Sequence, residues 1–216
     1  MKLSICNMAR GLIAAFRPWS REFGALVHEL RAISIPPLSV HLGDSLVEGE
    51  DHRFRTHCGV DLWAVARAMV KTVVISKREG ASTIQQQLVR VATGRYEITL
   101  RRKIREMAFA VALGSCFKRA EMLALYLIKG YYGYRMSGLF QACTRLRISP
   151  TTANPVEAAN LVARLRYPEP RSKSWDQQTR IERRAQHILT RLALAKRRDL
   201  TKATSPRLAN FPPVRP

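Results

Sequence analysis

The sequence is short of negative charge. Sixteen Asp and Glu residues face 37 Lys and Arg, a formal charge of +21, so the partners to look for are anionic: nucleic acid, a phospholipid surface or a phosphate-bearing substrate. Cysteine is also scarce. Cys6, Cys58, Cys116 and Cys143 lie far apart with no CxxC pair, which argues against zinc and gives no disulfide framework; they read as scattered buried or half-buried thiols. No apolar run approaches the roughly 18 residues of a spanning helix. The best N-terminal candidate, Gly11 to Phe16, is short for a signal-peptide core. Arg17, Pro18 and Trp19 follow it rather than a small-residue cleavage site, so neither a cleaved signal nor a membrane span is expected. Strand signals are almost absent, and internal repeats and sustained heptads are missing.

What is present is a globular chain. Its 46% hydrophobic content excludes a disordered basic tail protein, and 216 residues make one domain, or one with extensions, able to bury a core without disulfides or metals. The first 40 or so residues read as a weakly periodic lead ending at Ile35-Pro36-Pro37. Helix signals dominate from Asp61, which can cap a helix to about Ile75. Ser82-Thr83-Ile84-Gln85 reads as a capping box opening a helix that closes at Gly94, and Thr99 can cap Leu100–Leu113. Further helices are expected over Lys118–Ile128, Met136–Leu146, Asn154–Leu165 and Trp175–Arg198, before a loose tail containing Pro206, Pro212, Pro213 and Pro216. Residues 171–216 hold 12 basic and 3 acidic side chains, the densest part of the charge excess.

Because carboxylates are few, each one tells more. Glu50-Asp51 stands before His52-Arg53-Phe54-Arg55-Thr56-His57-Cys58-Gly59-Val60-Asp61, and on spacing alone it is an acidic turn flanking a helix. Glu106 follows Arg101-Arg102-Lys103-Ile104-Arg105, and alone it reads as the exposed i+4 partner of Arg102. Two carboxylates in unlike environments are also what glycosyl chemistry at an anomeric carbon needs. His57 has no second His or Cys at ligand spacing and reads as a hydrogen-bonded structural residue. Gln85-Gln86-Gln87 could be a solvated face. With Ser82 and Thr83, Gln86 also offers neutral donors at a helix N-terminus, suited to phosphate or sugar hydroxyls.

Together these segments resemble the bacterial peptidoglycan glycosyltransferases, the family of monofunctional transglycosylases and of the N-terminal domains of bifunctional penicillin-binding proteins. Glu50-Asp51-x-x-Phe54-x-x-His57-x-Gly59-Val60-Asp61 is similar to its first motif, and Gly80-Ala81-Ser82-Thr83-Ile84-Gln85-Gln86-Gln87-Leu88-Val89-Arg90 to its second. Arg102-Lys103-x-x-Glu106 looks like the third. Lys118-x-x-Glu121-Met122-Leu123-x-x-Tyr126-Leu127 with Tyr131-Tyr132-Gly133 looks like the fourth, and Pro155-x-Glu157-Ala158-Ala159-x-Leu161-x-Ala163 like the fifth. The five stand in family order across roughly residues 36–195.

The resemblance implies a mostly α, lysozyme-like domain with two lobes about a cleft, here over 36–198. Residues 1–35 are then a lead without a clear transmembrane helix, and 199–216 a Pro-rich basic tail with no room for a transpeptidase domain. It implies a glycosyltransferase that polymerises lipid II into glycan strands, forming a β-1,4 bond with inversion and releasing undecaprenyl diphosphate. Glu50 is the general base by resemblance. Asp51 orients its region, and Glu106, the second family carboxylate, positions the sugar diphosphates or a divalent ion, Mg or Mn; no organic cofactor is implied. Arg90, Arg102 and Lys103 stabilise the departing diphosphate. Ser82, Thr83, Gln86 and Gln87 line the phosphate-sugar cleft, and Phe54 and His57 brace the Glu50 loop. Implied partners are lipid II, the lipid-linked glycan strand, an anionic membrane surface and other cell-wall proteins. The implied place is the periplasmic face of the bacterial inner membrane, reached peripherally or by an anchor. The diffuse charge, the C-terminal segment included, is then expected to meet the anionic leaflet.

Arg90 stands where the family has lysine, Ile128 where it has asparagine, Gly114 where a glutamate is common and Ala81 where it has glycine. The alternative these departures motivate is an impaired member that binds lipid II as a scaffold. Nucleic acid is not an expected partner, because the basic stretch Arg180–Arg198 has only Trp175 near it for base stacking.

Overall fold

A computed structural model describes residues 2–67, 82–172 and 174–204. Among them the chain is mostly α, as expected. The helices are α1 (Lys2–Ala15), α2 (Arg17–Arg31), α3 (Val40–Glu50), α4 (Ile84–Thr93), α5 (Leu100–Leu113), α6 (Arg119–Lys129), α7 (Leu139–Leu146), α8 (Pro155–Arg166) and α9 (Trp175–Thr204). Residues 62–67 are helical too. A two-stranded antiparallel hairpin, β1 (Tyr131–Gly133) and β2 (Met136–Ser137), sits between α6 and α7.

Local chemistry sets most of the helix starts. Asp61 Oδ1 accepts from the N–H groups of Trp63 and Ala64 at 3.1 and 3.2 Å, so the expected cap forms; the rest of the helix read to Ile75 lies outside the described residues, as do Ala81 and the prolines of the tail. Thr99 Oγ1 accepts from Arg102 N, and Asn154 and Glu157 form a reciprocal capping box. Gly94 ends α4 at φ 62°, the left-handed closure that glycine takes without strain. At α4 the capping residue is Thr83 rather than the Ser82-led box, because Thr83 Oγ1 is the acceptor for Gln86 N.

Two stretches differ from the sequence reading. The lead forms α1 and α2, and Trp19, Leu26 and Leu30 of α2 recur at helical spacing and enter the core. Met136–Leu146 was expected as one helix. Instead Met136–Ser137 pairs with Tyr131–Gly133, and α7 begins at Leu139. The hairpin is closed by Gly138 N donating to Gly130 O, and Glu169 N donates to Tyr132 O to tie it to the chain after α8.

Packing brings the helices into two neighbourhoods. α8 lies against α3 and α9, while α5 lies against α1 and α4. α6 touches both α3 and α4 and so joins the two. Leu42, Leu46, Ile84, Leu88, Phe109, Leu113, Leu125 and Leu161 are fully buried in one continuous core between them. Burying such side chains contributes about 1.5–3 kcal/mol each, the main force holding the site-bearing helix ends together.

Candidate active site

α3 ends at Glu50, and Asp51 terminates it. The Glu50 carboxylate is held at both oxygens: Gln87 Nε2 donates to Oε2 at 3.2 Å, and Arg184 Nη2 reaches Oε1 at 3.1 Å. Arg184 Nη2 also donates to the Gly49 carbonyl. Tyr126 OH donates to Gln87 Oε1 at 2.5 Å, turning the Gln87 amide so that its N–H faces Glu50. Burial, and after it the Glu50 charge, pushes the Tyr126 phenol well above its ordinary pKa, so it remains a donor.

Asp51 is the hub of the loop that follows. Its carboxylate meets His57 Nε2 at 2.9 and 3.1 Å and accepts from Ile84 N, at the positive end of α4. His57 Nδ1 in turn accepts from Gly59 N. Thr83 Oγ1 donates to Gly59 O at 2.6 Å, joining this loop to α4. His57 is therefore the hydrogen-bonded structural residue that its isolation in sequence indicated. Phe54 is buried with its ring edge-on to His57 at 6.2 Å, and the Arg119 guanidinium lies 5.7 Å above it. Arg119 also donates to the carbonyls of Phe54 and His57.

Gly59 is where this loop meets α5. At φ +119° its backbone is in a region open to glycine, and a Cβ there would stand 2.5 Å from the Ala110 carbonyl oxygen. No other residue fits without moving the helix that carries Glu106.

Glu106 is the i+4 partner of Arg102 as read from sequence, but it is not exposed. It is 2% exposed and surrounded by cations. Arg90 grips it bidentately, Nε to Oε2 and Nη2 to Oε1, both at 3.0 Å. Arg102 Nη1 donates to Oε2, and Lys103 Nζ reaches Oε1 at 3.0 Å. Burial pushes the Glu106 pKa up, but the hydrogen bonds and charges of Arg90 and Lys103 outweigh it and hold the carboxyl below the usual range. Ser82 Oγ accepts from Arg90 at 3.2 Å and from Lys103 at 3.2 Å, and Gln86 Oε1 accepts from Lys103 at 2.6 Å. Three cations around one carboxylate leave a local surplus of positive charge. Arg90, at the family's lysine position, supplies the planar fork that the pairing uses.

A divalent cation does not fit this arrangement. Both Glu106 oxygens are engaged by cationic donors, so a metal there would face three like charges. Among the described residues no group of three His, Cys, Asp or Glu side chains stands close enough to hold one.

α4 organises the whole. Gln87 serves Glu50, Gln86 serves Lys103, Arg90 serves Glu106, and the α4 N-terminus receives Asp51. The glutamine run is therefore no solvated face: Gln85 and Gln86 are buried. Glu50, Asp51, His52, Arg67, His187 and Arg191 line a cavity of about 380 Å³, while larger clefts of about 560 and 930 Å³ flank α3 on other sides. Burial, with the Arg191 charge, lowers the His52 pKa, so its ring is neutral at physiological pH. Sequence reasoning missed Arg184 and Arg119. Arg184 stood inside a helix that read only as basic, and Arg119 occupied an unspecified position inside the fourth motif.

The helical domain thus presents one anchored carboxylate, Glu50, and one cation-wrapped carboxylate, Glu106, from either side of a single helix. The transglycosylase family model matches residues 21–193, and the chain belongs to that family. Similar proteins include penicillin-binding protein 1A of Neisseria gonorrhoeae, 38% identical over 102 residues that span 47% of this chain and 13% of the relative. Those of Haemophilus influenzae and Rickettsia prowazekii are 39% and 33% identical over 54% and 58% of this chain. Matched segments cover 14% and 17% of those two relatives, so the likeness concerns one part of a longer protein.

Proposed function

We propose that this chain is a peptidoglycan glycosyltransferase that polymerises lipid II at the outer face of the bacterial inner membrane. The observation that carries the reading is the pairing of the two stations across α4: Glu50 fixed by Gln87 and Arg184, and an Arg90–Arg102–Lys103 wall around Glu106.

In this mechanism the acceptor 4-hydroxyl lies against Glu50. As its oxygen attacks the donor anomeric carbon, the proton passes to the Glu50 carboxylate. The bond between that carbon and the diphosphate oxygen breaks on the opposite face, giving inversion, and undecaprenyl diphosphate leaves with the electron pair. The leaving group needs fixed positive charge rather than a proton. Arg90, Arg102 and Lys103 supply it from a partly desolvated wall, where such charge is worth far more than in water. Glu106 holds the three cations in place without neutralising them. Ser82, Thr83 and Gln86 shape the phosphate-sugar side, and Asp51, Phe54 and His57 keep the Glu50 loop in register.

The test is polymerisation of purified lipid II, followed on gels. The wild type is expected to form glycan chains and Glu50→Gln none. Chains made by Glu50→Gln would overturn the choice of base. Lipid II bound without any product by the wild type would replace the reading with the scaffold alternative.

A further inference from the structure

A second basic cleft opens on the face of α5 turned about 100° from the Arg102–Glu106 face. It is a cavity of about 380 Å³ between α2 and the start of α5, lined by Trp19, Glu22, Arg95, Arg101, Arg102 and Arg105. Its arginines outnumber its carboxylates. Glu22 is shared by Arg95 and Arg105 at 3.0 Å each, while the Glu97 carboxylate pairs with Arg95 at 3.7 Å and its carbonyl accepts from Arg102 Nε. Arg101 has no hydrogen bond or ion pair among the described residues. Arg105 is 7% exposed and its Nε has no partner among the described residues. The first turn of α5 holds no acidic residue. Arg101, Arg102 and Lys103 instead add positive charge to the positive pole of the helix, an arrangement that an incoming anion relieves.

Exposed apolar residues adjoin the lining residues of the cleft in sequence, Ile98 between Glu97 and Thr99 and Leu100 between Thr99 and Arg101. Ile98 is 99% exposed and Leu100 76% on the α5 side. On the α2 side Phe16, 47% exposed, packs on the cleft-lining Trp19 with ring centroids 5.0 Å apart. Tyr96, also exposed, is the amphipathic type that settles at a membrane interface. A water-borne phosphate has no use for such apolar neighbours, whereas a lipid presents an anionic head beside acyl chains.

We propose that this cleft binds the phosphate headgroup of an anionic phospholipid, with Ile98 and Leu100 entering the acyl boundary. The cleft shares Arg102 with the proposed glycosyl-transfer site but opens on another face of α5, and its occupancy is read without any turnover.

The experiment is sedimentation of the full chain with phosphatidylcholine vesicles, with and without phosphatidylglycerol. Binding is expected to need phosphatidylglycerol, and Arg101→Glu is expected to weaken it by about tenfold, since each well-placed arginine matters severalfold at an anionic leaflet. Ile98→Ser, at a position too exposed to affect folding, is expected to weaken it by about threefold or more. Arg198→Glu on α9 carries the same charge change and is expected to have a smaller effect than Arg101→Glu. Equal losses from Arg101→Glu and Arg198→Glu would reduce the effect to general electrostatics and overturn the site. Displacement of vesicles by millimolar inorganic phosphate, with Ile98→Ser binding as wild type, would make it a free-phosphate site and overturn the lipid assignment.

Discussion

Arg184 Nη2 stands 3.1 Å from Glu50 Oε1, although 134 residues separate the two in sequence. The same nitrogen donates to the Gly49 carbonyl, so α9 fixes both the end of α3 and the carboxylate it presents. Arg184→Ala is expected to lower lipid II polymerisation by on the order of 10²-fold, the usual penalty for a misplaced reacting group, with lipid II affinity changed far less. Arg184→Lys should recover part of the rate. Single-turnover rates beside binding measurements separate the two effects, and an unchanged rate in Arg184→Ala would remove Arg184 from the positioning of Glu50.

Glu106→Gln takes the one negative charge out of a group of three cations. Removing one partner of a buried ion pair destabilises strongly, and the partial exposure of Arg90 and Lys103 places the expected loss near the low end, about 2–3 kcal/mol. Urea unfolding at neutral pH measures it.

The same carboxylate gives a pH dependence with a defined sign. Its folded pKa lies below the unfolded value, so its stabilisation is fully present above about 4.3 and disappears as pH falls through the lower folded value. The wild type should lose stability steeply on acidification. Glu106→Gln should start lower and show a shallower acid limb, and parallel acid limbs in the two proteins would assign the loss to other groups.

Gly59→Ala is expected to destabilise by more than about 2 kcal/mol, because it combines an unfavourable backbone conformation with a clash against a main-chain oxygen. Gly94→Ala, with open space around the Cβ, is the control for backbone strain alone and should lose about 1 kcal/mol. Thermal melts of the two variants rank them.

Thr83→Val removes the α4 cap and the bond to Gly59 O together. A combined loss of about 1–3 kcal/mol is expected from two such hydrogen bonds, with the reaction rate falling as the Asp51 loop loosens.

What the sequence revealed follows from the range of each interaction. The caps at Asp61, Thr99 and Asn154 act within three residues, and each forms where its residue types indicate. The hairpin was not legible, since strands of three and two residues are too short to show a period. Nor was the depth of Glu106, because Arg-rich spacing looks the same on a wet face as in a buried cluster, and only the packing of α4 on α5 distinguishes them. The motif order named the residues that meet around α4. Arg184 lay outside it, in a partnership that no local pattern encodes.

The contact between Gly59 and Ala110 carries a last consequence. At Gly59 the loop bearing Asp51 meets α5 main chain to main chain, beside a buried cluster that holds Val60 of the loop and Val111 of the helix. At that one point the spacing between loop and helix is fixed by main-chain atoms, which no substitution of Gly59 can leave in place. On the proposed mechanism, substrate preference is then expected to change through the cleft walls sooner than through the contact between Gly59 and Ala110.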